Sequence, residues 1–97
     1  MEINFTTENS RVPVGVMHIK GIIDTANHQA FQEKAQEIID GGTHYLLLDF
    51  TEVTFISSAG LRVFILAAKR LDSLNGKAVL CSLKDPVREV FDIAGFS

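Results

Sequence analysis

The chain reads as a small layered α/β domain, a mixed β-sheet with helices whose elements run in the order β-β-α-β-α-β-α. Three observations predict this. Apolar stripes of helical period alternate with short apolar runs, glycines and Asx residues punctuate the junctions, and 97 residues suffice for one modest core. With 46% hydrophobic and 22% charged residues, the composition excludes a disordered chain. Residues 1–97 are expected to form a single domain.

The elements follow from local pattern. Ile3, Phe5 and Thr7 alternate with Glu2, Asn4 and Thr6, the period of a strand. Glu8-Asn9-Ser10 marks a turn, and residues 12–19 return as the second strand of a hairpin. Pro13 belongs near the start of that strand, because it has no N–H for the ladder. Gly21 is expected to close it. Asp24-Thr25-Ala26-Asn27 offers several helix caps, and Phe31, Ala35, Ile38 and Ile39 then form one apolar helical face. Gly41-Gly42 supplies a left-handed stop.

Tyr45-Leu46-Leu47-Leu48 shows no alternation, which predicts a short strand covered on both faces and ending at Asp49. A polar loop is expected next. A second helix over 58–73 presents Leu61, Phe64, Ile65, Ala68 and Leu71 to the core. Gly76 leads into a strand over 78–81. Asp85-Pro86 then reads as an N-cap followed by proline at the first helical position. Val87, Val90, Phe91 and Ala94 stripe that last helix, and Gly95 ends it. Parallel strands joined through helices imply right-handed crossovers.

Several function classes are disfavoured. A net charge of −3 without a Lys/Arg cluster argues against direct nucleic-acid binding. Cys81 is the single cysteine, so an internal disulfide is impossible, and it reads as a buried structural residue. His18, His28 and His44 lie at unrelated spacings, so no metal site is expected. There is no Gly-x-Ser-x-Gly elbow and no Walker lysine, hence no catalytic residues and no cofactor. No basic leader and no apolar run of membrane length appear, which predicts a cytoplasmic protein without membrane attachment.

The stretch that carries chemistry is Asp49-Phe50-Thr51-Glu52-Val53-Thr54-Phe55-Ile56-Ser57-Ser58-Ala59-Gly60-Leu61-Arg62. Two serines open a helix there, where free N–H groups and the helix dipole favour negative charge. Either serine can cap the helix, and either can accept a phosphate and act as a switch. Arg62 lies four residues after Ser58 and could steady such a phosphate, or be a solvated surface charge. Asp24 and Asp49 each follow an apolar strand. They could cap the following turns or stand beside the serines at the strand ends, where sites of open α/β sheets gather. Phosphorylation of Asp49 itself would want an acidic pair after the first strand, and none is present. The segment 63–68 is apolar over more than one face, for burial or, at Val63 or Leu66, as an exposed docking strip.

Gly21-Ile22-Ile23-Asp24, Leu47-Leu48-Asp49, Phe55-Ile56-Ser57-Ser58-Ala59-Gly60-Leu61 and the ending Phe91-Asp92-Ile93-Ala94-Gly95-Phe96 together resemble the STAS domain, in particular the bacterial anti-sigma factor antagonists. The resemblance covers nearly the whole chain. Ser57 stands where many members carry aspartate, Ala59 where they carry serine or threonine, and Arg62 where well-known members have a small residue. The family's C-terminal strand and helix are expected to be missing or cut off. What the resemblance implies is a non-catalytic switch. The unphosphorylated form binds an anti-sigma factor, itself a serine kinase of the histidine-kinase-like ATPase fold, and so frees a sigma factor. Phosphorylation abolishes that complex, and a PP2C-type phosphatase restores it. Ser58 is the implied acceptor and Ser57 the second choice, with Asp24, Asp49, Ser57, Gly60, Leu61 and Arg62 as the implied partner-binding residues. A monomer or weak dimer is expected. The alternatives are an unphosphorylated STAS scaffold in a sensory complex and a small-ligand-binding STAS domain.

Overall fold

The computed structural model describes residues 1–8 and 13–93. Its elements are β1 (Glu2–Glu8), β2 (Val14–Ile23), α1 (His28–Asp40), β3 (Tyr45–Ile56), α2 (Ser58–Ser73), β4 (Lys77–Cys81) and α3 (Asp85–Ile93). The order is the expected one. The turn at Asn9-Ser10, the strand start at Val12 and the helix end at Ala94-Gly95 lie outside the described residues.

The sheet order is β1-β2-β3-β4, with β1 antiparallel to β2 and the other neighbours parallel. Both parallel connections step in the same direction, so right-handed crossovers place α1 and α2 on the same face. One core results. Met17, Ile19 and Ile23 of β2 and Leu46, Leu48 and Phe50 of β3 meet Phe31, Ile38, Phe64 and Leu71 of the helices. The Phe91 ring of α3 stands edge-on to Phe64 at 5.5 Å and to Phe50 at 6.3 Å, which brings α3 into the same layer. In α2 the buried set is Leu61, Val63, Phe64, Ala67 and Leu71, while Ile65 and Ala68 lie at its margin.

Three expectations about the sheet need correction. β2 does not close at Gly21; it runs on to Ile23, with Gly21 at a positive φ beside a register shift. β3 does not stop at Asp49. It spans 12 residues, and the expected polar loop is strand. Nor is the Tyr45-Leu46-Leu47-Leu48 run covered on both faces: among the described residues the helices cover one face only. Leu46 and Leu48 are buried beneath them, whereas Leu47 is half-buried between Val16 and Val79 in the ladder and Tyr45 is exposed. The run lacks alternation because a small apolar patch crosses the helix-free face at that level.

β3 is long because it carries two bulges. Between the pairs His18↔Asp49 and Ile23↔Ile56, β2 advances five residues and β3 seven. Each extra residue turns a consecutive pair outward, first Thr51-Glu52 and then Thr54-Phe55, so that Val53 and Ile56 still point into the core. This broken alternation is why the segment reads as a loop in the sequence.

Both long helices end in the same device. At α1 the Thr43 and Gly42 N–H groups donate to the Ile38 and Ile39 carbonyls around Gly42 at φ 101°. At α2 the Gly76 and Asn75 N–H groups donate to Leu71 and Asp72 around Asn75 at φ 61°. The α3 start lies one residue earlier than expected: the Arg88 N–H bonds the Lys84 carbonyl, so Asp85 is already helical. No helix among the described residues is long and apolar enough to cross a membrane.

The turn after α2 leaves no room for a side chain. A Cβ on Gly76 would overlap the His44 carbonyl oxygen, which already accepts from the Lys77 N–H at 2.9 Å. Backbone cannot yield as a side chain can. Gly76→Ala is therefore expected to lower the urea unfolding free energy by about 3 kcal/mol, the upper end of overpacking costs. Loss of under about 1 kcal/mol would show that the α2–β4 turn is free to shift.

Candidate functional site

β2 and β3 end side by side, and the start of α2 is seated on those ends. The Ser57 N–H donates to the Ile23 carbonyl at 2.8 Å, extending the ladder by one bond. Ser57 itself keeps extended backbone geometry, and its Oγ accepts from the Gly60 N–H at 3.2 Å. That makes it the N-cap. Gly60 lies flat against the strands: a Cβ there would stand 2.6 Å from Ile23 Cγ2 and 2.9 Å from Ile56 Cγ1. Leu61 beside it is buried in the core.

This seating separates the two serines. Ser58 occupies the first helical position, is exposed, and makes no hydroxyl hydrogen bond among the described residues. The N–H groups of Ser58 and Ala59 likewise have no partner among them. These donors and the helix dipole make the spot receptive to an anion. Arg62, one turn on, is exposed and in no ion pair among the described residues. Helical side chains lean toward the N-terminus, so its guanidinium has position 58 within reach.

Asp24 stands at the same end of the sheet, directly after Ile23. Its Oδ1 accepts from the Ala26 N–H at 2.9 Å, and its own N–H donates to Asn27 Oδ1 at 2.9 Å. Asn27 Nδ2 in turn donates to the Ile22 carbonyl at 2.8 Å. These bonds fold the chain from β2 into α1.

Asp49 is not there. It lies in the middle of β3, five β2 positions from the strand ends and so about 16 Å away. On the helix-free face its Oδ2 meets His18 Nδ1 at 2.9 Å, while Oδ1 accepts from the Thr51 N–H at 3.0 Å and from the Thr51 hydroxyl. Cys81 Sγ lies 4.0 Å from the same oxygen, half-buried where full burial was expected. The two Thr51 bonds hold the Asp49 carboxyl below its ordinary 3.8; partial burial opposes them, and His18 adds a smaller pull in their direction. Of the two readings the sequence left open for Asp49, the one that stood it beside the serines took the outward-turned residues after it for a loop, and the bonds to Thr51 two residues on are nearer the other.

The segment 63–68 divides. Val63 is buried, and Leu66 is 51% exposed on the rim of a groove of about 220 Å³ between α1 and α2, lined also by Ala35, Ile39 and Arg70. Arg70 is paired with Asp40 across that groove. Sequence reasoning also missed that Ile22 and Phe55 are exposed at the site end of the sheet. No period-two reading finds Phe55 there, since the bulge decides its direction.

Residues 6–97 match the STAS domain family. The candidate anti-sigma factor antagonist BtrV of Bordetella bronchiseptica is 42% identical over 78 residues, which cover 80% of this chain and 67% of BtrV. The chain belongs to the anti-sigma factor antagonist family of STAS domains. This family is non-enzymatic. The anti-sigma-B factor antagonist of Listeria monocytogenes is 40% identical over 52 residues, 54% of this domain and 46% of that protein, so the match spans less than half of the relative. Among solved structures, unphosphorylated SpoIIAA gives a TM-score of 0.78 at 22% identity, over 96% of this STAS domain and 82% of that chain. The phosphorylated form of Bacillus SpoIIAA gives 0.73 at 19% identity, over 96% and 85%. At these identities the structural likeness speaks for the fold.

Two outcomes are expected of this STAS domain. Ser57→Ala removes the cap and lowers unfolding free energy by about 1 kcal/mol, whereas Ser58→Ala stays within about 0.5 kcal/mol of wild type by denaturant titration. Asp49 has a depressed folded-state pKa, so its contribution is present above 3.8 and is lost as pH falls through the lower folded value. Against Asp49→Asn, the wild-type advantage in thermal melting should thus hold at neutral pH and shrink only on acidification below that range; an advantage growing toward acid would reverse the sign.

Proposed function

We propose that the domain is a phosphorylation-gated antagonist working in the cytoplasm. Unphosphorylated, it binds an anti-sigma factor that is a serine kinase of the histidine-kinase-like ATPase fold, and the sigma factor is set free. Phosphorylation of Ser58 by that kinase ends the complex, and a PP2C-type phosphatase renews it. The observation that carries this reading is the division between the serines: Ser57 is held in the cap, and Ser58 offers solvent a hydroxyl with no partner among the described residues, at a helix start. Support also comes from the relatives, one named for antagonism of an anti-sigma factor and one solved in both unphosphorylated and phosphorylated forms.

The gate follows from desolvation. A partner docked over the α2 start strips water from position 58. A hydroxyl tolerates that at little cost when it finds one hydrogen bond, whereas an unpaired phosphate dianion costs several kcal/mol. Each ~1.4 kcal/mol is a factor of ten in affinity, so the complex is switched off without a change of fold. In the free domain the same phosphate is well tolerated, since it stands at the unpartnered Ser58 and Ala59 N–H groups with the Arg62 side chain within reach.

The test is phosphate mapping. The purified domain, incubated with ATP and fractionated lysate of its source organism, should acquire one phosphate on Ser58, and the active fraction yields the kinase. Ser58→Ala should take none and still bind that kinase; Ser57→Ala should still be modified. Ser58→Asp should bind about a hundredfold more weakly. Phosphate found on another residue, or equal binding of both forms, would overturn the gate.

A further inference from the structure

Ile22 and Phe55 carry the further inference, which rests on the reading of Ser58 as the gated contact. Both are large apolar side chains left nearly half exposed, at 47% and 46%. They are paired across the β2–β3 ladder, one step before the buried pair Ile23↔Ile56. The second bulge of β3 is what aims Phe55 outward, because without the extra residue the alternation after Val53 would bury it. Bulges commonly re-aim side chains beside functional sites.

The position is tied to the switch by chain length alone. Phe55 lies three residues before Ser58 and so within about 10 Å of it. Ile22 is one strand spacing, about 5 Å, further on. An interface of standard size buries about 800 Å² of each partner, a disc of about 16 Å radius. An interface of that size centred on Ser58 would reach both Phe55 and Ile22. A hydroxyl that trades water for a protein contact gains little net affinity, whereas buried aromatic and aliphatic anchors dominate binding energies.

We propose that the Ile22–Phe55 pair is the apolar anchor on which the anti-sigma factor kinase docks, seated in an apolar recess of that protein. Ser58 gates the contact, and the pair supplies most of its affinity. The same anchor holds the substrate while the kinase modifies it, so its loss acts on docking and not on the chemical step.

The experiment uses the full chain and the purified kinase that phosphorylates Ser58. Steady-state phosphorylation is measured for wild type, Ile22→Ser, Phe55→Ser and Val79→Ser. Val79 is 42% exposed on the same sheet face but paired with Leu47, toward the opposite end of the ladder, and serves as the control. KM is expected to rise about tenfold or more for Ile22→Ser and Phe55→Ser, with kcat unchanged and Val79→Ser like wild type. Circular dichroism melting confirms that each variant is folded; should Phe55→Ser melt early, Phe55→Gln and Ile22→Ser carry the test. Wild-type KM in folded Ile22→Ser and Phe55 variants overturns the anchor while leaving the gate intact. If no kinase modifies Ser58 of the wild-type domain, the gate falls and the anchor with it.

Discussion

The arrangement at this site depends on how closely α2 sits on the ends of β2 and β3. Gly60 permits that contact, because any Cβ would strike Ile23 and Ile56. The Ser57 N–H then reaches the Ile23 carbonyl, and the Ser57 hydroxyl caps the Gly60 N–H. Three consecutive demands are thus met by residues 57–60, and Ser58 is what remains over, fixed in place and facing water. A looser contact would leave the helix start free to slide, and a hydroxyl whose position wanders cannot be read by a partner.

The rigidity bears on the proposed switch. The cap, the ladder bond and the Asp24–Asn27 turn hold the site whether or not position 58 is charged, since none of them uses the Ser58 hydroxyl. In the proposed gate, a phosphate there would act by what it forbids at a dry interface, and the domain would need only to be a stable platform on which one group changes charge.

The helix-free sheet face shows how the same strand serves several ends. Toward its start β3 shares an apolar patch with Val16 and Val79; in its middle Asp49 is held by Thr51 and His18; at its end Phe55 stands beside Ile22. Two bulges make this possible by turning two residue pairs outward while keeping Val53 and Ile56 in the core. The ladder gives up regular pairing at two points and keeps a continuous core face.

The sequence by itself determined the element order, the helix faces around Phe31 and Leu61, and the helix stop at Gly42. Those are short-range matters of periodicity, capping and turn chemistry, written in residues close together along the chain. The tertiary structure alone decided which serine caps, where Asp49 lies, how far β3 extends and which way Phe55 points. Each of these depends on register between strands distant in sequence, where one extra residue reverses the face of everything beyond it, and no local pattern reports that partner.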